Sequence, residues 1–168
     1  MGEAPVITRD PARRSFRLKT ELWLPVPREA LFEFFADAFQ LETITPPWMH
    51  FHVLTPRPIV IQQGTTIDYK LRIHGIPIRW QSVISVWEPP VRFVDEQVRG
   101  PYRFWRHEHR FAEQEGGTLV TDEVEYRVPG GRLIHALLVA PDLRQIFTYR
   151  TRKLQELFGA PATRSPAG

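Results

Sequence analysis

The sequence predicts an α+β fold: a curved antiparallel sheet of about six to seven strands wrapped around a long C-terminal helix, with two short helices after the first strand. Three observations predict it. Apolar and polar residues alternate through successive stretches between Ser15 and Tyr126, the period of half-buried strands. The joints between those stretches are short and rich in Gly and Pro, which suits antiparallel neighbours. After Pro129 the apolar period changes from two to about 3.6, with Leu143, Ile146, Phe147, Leu154, Leu157 and Phe158 on one helical face. A curved sheet needs its apolar face covered, and this helix, expected over residues 141–158, is the available cover.

The first strand runs from Ser15 to Leu24, with Phe16, Leu18, Leu22 and Leu24 as its apolar positions. Pro27 can open a helix at its first turn, and Leu31, Phe32, Phe34 and Phe35 supply that helix with an apolar stripe. Phe39, Leu41 and Ile44 suggest a second short helix, ended by Pro46-Pro47. Met49 to Thr55 reads as a strand. Thr65 to Ile73 alternates Ile67, Tyr69, Leu71 and Ile73 against Thr66, Asp68, Lys70 and Arg72. His74-Gly75 turns the chain into Ile76–Trp87, one face of which carries Ile78, Trp80, Ser82, Ile84 and Val86. Pro89-Pro90 leads into Val91–Val98, and Gly100-Pro101 leads into a hairpin. In the last helix, Pro141 either sits in the first turn or kinks a longer helix that begins near Leu133.

The hairpin, residues 101–128, carries the strongest functional signal. Trp105, His107, His109 and Phe111 alternate on one strand, and Val120, Asp122, Val124 and Tyr126 alternate on the other. The opposite set is Arg103, Arg106, Glu108, Arg110, Glu123, Glu125 and Arg127, which belongs to solvent. The first set therefore faces the core, yet it holds two histidines and an aspartate, which are costly to bury unpaired. If Glu113 pairs with Thr118 across a four-residue loop, His109 stands opposite Asp122, Trp105 opposite Tyr126 and Arg106 opposite Glu125. That register also sets Glu108 against Glu123, an unfavourable pair of like charges.

Length and composition bound the answer. A chain of 168 residues suits one domain with a substantial core. We read residues 1–14 and 159–168 as flexible tails and residues 15–158 as the domain. There is no cysteine, which excludes disulfides and thiolate chemistry. The 22 basic and 19 acidic residues are interspersed, without the basic stripe of a nucleic-acid surface, so no nucleic-acid partner is expected. No apolar run approaches the ~20 residues of a membrane span, and the first residues lack the apolar centre of a secretory signal. A cytoplasmic location without stable membrane insertion is the default expectation, and a homodimer is left open. No glycine-rich phosphate loop follows a strand and opens a helix, so no nucleotide cofactor is indicated.

The element order and several segments resemble the START and birch-pollen-allergen superfamily (SRPBCC), whose members share the helix-grip fold. The segments are TPPW at 45–48, HGIPIRW at 74–80, WEPP at 87–90, FVDEQVRGPYRFWRHEH at 93–109, GGT at 116–118 and IFTYRTRKL at 146–154. The resemblance is nearest to a bacterial branch of uncharacterised ligand-binding members and covers about residues 15–158. It implies a START-like domain with a cavity between the sheet and the C-terminal helix. The superfamily includes lipid carriers, hormone receptors, polyketide cyclases and aromatases, and ring-hydroxylase subunits.

The sequence supplies a lining for such a cavity: Tyr69, Leu71, Ile73, Trp80, Phe93, Trp105, His107, His109, Phe111, Asp122, Val124 and Tyr126 from the sheet, with Phe147 and Arg150 from the helix. The expected ligand is a hydrophobic or aromatic small molecule or a lipid. Arg150 interrupts the helix's apolar face. It either pairs with Asp95 or Asp122 or anchors an acidic ligand group. Asp95 is read chiefly as the partner of a buried group. His50, His52 and His74 are expected in solvent, and Trp48 either anchors its turn or borders the cavity mouth.

The primary expectation is a non-catalytic binder with no cofactor and no metal, because HExxH-type zinc spacing is absent. The alternative is a polyketide cyclase- or aromatase-like enzyme, for which His107, His109 and Asp122 are the acid–base candidates. A structural or interaction module is the third. The bland reading of the same residues has His109 and Asp122 hydrogen-bonded to each other and His107 bonded to backbone or water.

Overall fold

The hairpin sets the frame of the molecule. In the computed structural model, which describes residues 4–159, strand β7 (Phe104–Gln114) pairs with β8 (Gly117–Arg127) in the register read from the sequence. His109 faces Asp122, Trp105 faces Tyr126, Arg106 faces Glu125 and Glu108 faces Glu123. The connection is tighter than the four residues expected. Pairing continues to Gln114 and Gly117, leaving Glu115 and Gly116 with φ of 49° and 75°. Two positive φ values are what a two-residue hairpin turn needs to match the strand twist.

Eight antiparallel strands form one sheet, one more than the upper expectation. The other strands are β1 (Val6–Asp10), β2 (Ser15–Leu24), β3 (His52–Val53), β4 (Thr66–Ile73), β5 (Ile76–Glu88) and β6 (Arg92–Arg99). Their order is β1-β2-β8-β7-β6-β5-β4-β3. The extra strand corrects the expected N-terminal tail. Val6–Asp10 pairs with Ser15–Lys19 across a turn in which Asp10 Oδ1 accepts the backbone N–H groups of Ala12 and Arg13. Both sheet edges are short: β1 is largely exposed, and β3 has two residues where a strand from Met49 to Thr55 was expected. Short edges limit pairing with other chains. The expected C-terminal tail falls mostly outside the described residues.

Helices α1 (Arg28–Ala36) and α2 (Gln40–Ile44) follow β2 as expected. Leu31, Phe32 and Phe35 of α1 are buried against Phe93, Phe111 and Val120. The C-terminal helix begins earlier than expected. α3 (Gly131–Ile134) runs through a π-helical turn at His135–Val139 into α4 (Ala140–Phe158). Pro141 lacks the N–H that would bond to the turn before it, and the widened turn stands directly N-terminal to it. Leu143, Phe147 and Leu154 press the helix into the sheet's concave face, against Phe16, Leu18, Trp105, Val124 and Tyr126 at one end and Phe111 at the other. Burying each such side chain stabilises the fold by about 1.5–3 kcal/mol.

Two details differ from the alternation. A bulge between Ile84 and Val86 shifts the phase of β5, so Val86 pairs with outward Val94, and Trp87 turns in against Phe32 and Phe93. Glu108, expected in solvent, is 6 % exposed. Arg92, Arg106 and Arg110 donate hydrogen bonds to it at 3.3, 3.0 and 2.5 Å, which offsets the repulsion from Glu123. Burial works to raise the Glu108 pKa, but the Arg110 and Arg106 hydrogen bonds outweigh it and hold it below the ordinary value.

Candidate ligand-binding site

The curvature that lets the sheet wrap α4 leaves a cavity of about 360 Å³ between them. Its walls are mostly apolar and aromatic, and volumes of this size hold small molecules. Tyr69, Leu71, Ile73, Trp80, Phe93, Trp105, His107, His109, Phe147 and Arg150 line it, as the sequence reading expected. Asp122, Val124, Tyr126 and Phe111 do not. Strand β8 lies toward β2, where Val124 and Tyr126 are fully buried beneath Phe16, Leu18 and Leu143. The Tyr126 hydroxyl is satisfied by His135 Nε2 at 2.9 Å. Phe111 is core packing under Phe32 and Phe35. Asp122 sits behind the wall, in contact with the two histidines.

Several lining residues were not assigned to the cavity from the sequence. Phe35, Ala38 and Leu41 come from the helical segment, Met49, Phe51 and Ile61 from the irregular stretch around β3, and Tyr102, Leu143 and Ile146 from later elements. Phe35, Leu41, Leu143 and Ile146 carried an apolar signal, but nothing local separates a residue that packs from one that borders a void. Tyr102 is placed by Gln97, whose side-chain amide donates to the Tyr102 carbonyl and accepts from its N–H.

The polar groups gather on one wall. Asp95 of β6 stands directly opposite His107 of β7. His109 Nε2 is 3.0 Å from Asp95 Oδ2, and His107 Nδ1 is 3.9 Å from the same oxygen. On their far sides both rings meet Asp122 Oδ1. His107 Nε2 hydrogen-bonds it at 3.1 Å, and His109 Nδ1 lies 2.7 Å away without hydrogen-bond alignment. His109 and Asp122 are in contact as expected, but the aligned hydrogen bond to Asp122 comes from His107, not from His109, whose own goes to Asp95. The alternation of side chains explains this, since Asp95, His107, His109 and Asp122 all face inward on three adjacent strands. Asp95, His107 and His109 each offer a metal-ligating atom, all within 4.8 Å of one another.

These contacts divide the two histidines. Burial, joined by neighbouring His109, lowers His107 to a pKa of about 4. Burial also opposes a charge on His109, but Asp122 and Asp95 outweigh it and raise its pKa above the ordinary histidine value. Asp95 and Asp122 are likewise desolvated, yet their cationic neighbours hold both below the usual carboxylate range; for Asp122 the largest of these is Arg150.

Arg150 reaches the same wall from α4. Its Nε is 3.5 Å from Asp122 Oδ2, an ion-pair contact, and its guanidinium lies 5.3 Å from the Phe35 ring centre. The side chain is 11 % exposed, and neither Nε nor Nη2 makes a hydrogen bond to the protein. At the other end, His74 is exposed as expected, but it also lines the cavity and bonds Asp142 of α4 at 2.7 Å. This contact ties the β4–β5 turn to the helix. His50 and His52 are exposed, and Trp48 packs edge-on against Tyr149 without lining the cavity.

A sheet closed around a C-terminal helix with an apolar cavity between them defines a helix-grip protein. Residues 24–152 match the family described as polyketide cyclase / dehydrase and lipid transport, and the chain belongs to that family, within the SRPBCC superfamily. No curated protein matches the sequence. Solved structures share its fold at low identity. A protein from Arthrobacter aurescens is 14% identical with a TM-score of 0.68, covering 97% of this chain and 98% of its own. The major latex-like protein 151 from Panax ginseng is 12% identical with a TM-score of 0.64, covering 86% of this chain and 97% of its own. The protein Ara h 8.0201 is 14% identical with a TM-score of 0.64, covering 85% of this chain and 97% of its own. Among the described residues, no helix is long and apolar enough to cross a membrane.

Proposed function

We propose that the protein binds a hydrophobic or aromatic small molecule bearing an acidic group, and holds it without chemical change. Arg150 carries this reading. A buried guanidinium with two nitrogens lacking hydrogen bonds, beside a mostly apolar cavity, is a costly arrangement in isolation. A ligand carboxylate or phenolate would meet the guanidinium where Arg150 borders the cavity, since arginine suits planar, two-point recognition of such groups. Trp80, Trp105, Phe93 and Phe147 offer aromatic faces and edges for the ligand body. The family's scope, which includes lipid transport, agrees with an apolar cargo.

The test has two parts. Native mass spectrometry of gently purified protein should find a retained small molecule. Titration with a naphthalene carboxylic acid and its methyl ester, followed by fluorescence of Trp80 and Trp105, should show preference for the acid. Arg150→Met should weaken the acid at least about 10-fold and leave the ester almost unchanged, the loss expected for one charge-assisted contact. Equal binding of acid and ester by the folded wild type would refute the anchoring role.

A cyclase-like reading has one specific observation in its favour. The Asp95–His109–Asp122–His107 chain pairs a histidine of raised pKa with one of lowered pKa at the cavity wall. Such divergence suits an acid and a base acting on one substrate. Turnover of a polyketide-like aromatic precursor, lost in His107→Gln and His109→Gln, would favour it over simple carriage.

A further inference from the structure

We propose that Asp95, His107 and His109 form a binding site for one divalent transition-metal ion, with Asp122 holding the two imidazoles from behind. The site does not depend on the proposed cargo.

The first argument is geometric. The donor atoms of the three residues lie within 4.8 Å of one another. Asp95 Oδ2 is 3.0 Å from His109 Nε2 and 3.9 Å from His107 Nδ1. Two donors that share an ion at about 2.1 Å can be separated by at most about 4.2 Å. Both separations from Asp95 lie within that limit. The His107 and His109 rings, 3.8 Å apart between centres, already lie side by side. They do so because residues two apart on a strand project from the same face, and cross-strand pairing sets Asp95 directly opposite His107.

The second argument concerns the far side of the rings. A metal-ligating imidazole is normally oriented by a carboxylate or carbonyl on its other nitrogen. Here one oxygen of Asp122 contacts that other nitrogen on both rings, His107 Nε2 at 3.1 Å and His109 Nδ1 at 2.7 Å. Among the described residues His109 Nδ1 has no other hydrogen-bond partner. The nitrogens left over, His107 Nδ1 and His109 Nε2, are the two that face Asp95.

Charge and access agree with it. Two carboxylates, Asp95 and Asp122, meet a single fixed cation, Arg150. Asp95, His107 and His109 border the cavity while Asp122 does not, so the outer positions of an ion bound by the three would open into the cavity. Two imidazoles and one carboxylate, without thiolate, suit Zn(II), Fe(II), Co(II) or Mn(II), and three protein ligands leave positions for water or an acidic ligand.

Cobalt(II) is the probe. Tag-free protein is stripped with a chelator, dialysed and titrated with Co(II), following visible absorption, then back-titrated with Zn(II). One equivalent should bind and be displaced by Zn(II). Asp95→Asn and His107→Gln should each weaken binding at least about 100-fold, and Asp122→Asn about 10–100-fold, the range for groups that orient ligands. A His50→Ala/His52→Ala double variant, removing two surface histidines, should bind as the wild type does. Circular dichroism establishes that each variant is folded. Where one is not, wild-type protein labelled with ¹⁵N-histidine decides: Zn(II) should move the His107 and His109 ring resonances. Absence of binding by the wild type, full binding by folded Asp95→Asn, or resonance changes confined to His50 and His52 would each overturn the site.

Discussion

Asp122→Asn tests the centre of the polar wall. The substitution keeps the side chain's shape and removes its charge. Asp122 is 4 % exposed, accepts a hydrogen bond from His107, touches His109 and lies 3.5 Å from Arg150 Nε. Without the carboxylate, Arg150 loses its only ion-pair partner of the buried wall, although His109 keeps Asp95. Breaking a buried charge pair by removing one member costs about 3–5 kcal/mol. The remaining bond to Asp95 places the expected loss near the lower end, about 3 kcal/mol. In a chain of this size each kcal/mol moves Tm by about 2–4 °C, so the variant should melt about 6–12 °C lower at pH 7.

The pH dependence gives a second handle on the same substitution. Burial would raise the Asp122 pKa, but Arg150, His109 and the His107 hydrogen bond depress it well below the ordinary value. A depressed folded pKa contributes stability that is complete above the unfolded value, about 3.9, and lost as pH falls through the folded one. The Tm gap between wild type and variant should hold from pH 7 to about 5 and close below about 4. Thermal melts by circular dichroism in the presence of chelator measure it. A gap under about 2 °C at pH 7, or one that widens in acid, would refute the assignment of Asp122 as the wall's stabilising charge.

Three further outcomes are expected. His107, lowered to a pKa of about 4 by burial and His109, favours the unfolded state as pH falls from about 6.5 toward 4, because the unfolded chain binds the proton first. Urea melts of apo protein should lose on the order of 3 kcal/mol over that window, and His107→Gln should flatten the slope; an unchanged slope would show that His107 does not titrate so low. Phe111→Ala removes a ring that is 1 % exposed and packed on Phe32, Phe35 and Phe93. It should cost about 3–5 kcal/mol in urea denaturation, whereas a loss under about 1 kcal/mol would mean that the core refills the space. Gly130 has φ of 84°, and an added Cβ would lie 2.6 Å from Ile134 Cγ1. Gly130→Ala should therefore destabilise by at least about 1 kcal/mol, and a neutral effect would mean that the turn into α3 is not held in this conformation.

What the sequence made legible was local. The β7–β8 register followed from the Arg106–Glu125 and Trp105–Tyr126 pairs set opposite each other across a loop expected to hold four residues. The inward placement of His107, His109 and Asp122 followed from period-two alternation. Features fixed at a distance were not legible. Val6–Asp10 has little apolar alternation, and it is a strand because β2 offers an edge to pair with. The phase change that turns Trp87 inward depends on a bulge, and the early start of the last helix depends on a π-helical turn ahead of Pro141.

Asp95 shows how such distant determinants reach the site. Its alternation with Phe93 marked it as inward-facing, and a buried partner was expected for it. Which partner depends on the β6–β7 alignment, and that alignment is set across the irregular segment from Gly100 to Arg103, where Gln97 grips the Tyr102 backbone. A shift of one residue would turn Asp95 to the outer face. A shift of two would keep it inward but set it opposite Trp105 or His109 instead of His107. In the observed register one carboxylate reaches the inner nitrogens of both histidines while Asp122 holds the outer ones. The chemistry of the wall therefore rests as much on Gln97, which touches none of the histidines, as on the residues that form it. Gln97→Ala should loosen the 100–103 segment and weaken Co(II) binding with ligands and orienting carboxylate all intact. Unchanged affinity in a folded Gln97→Ala protein would show that the β6–β7 ladder alone fixes the register.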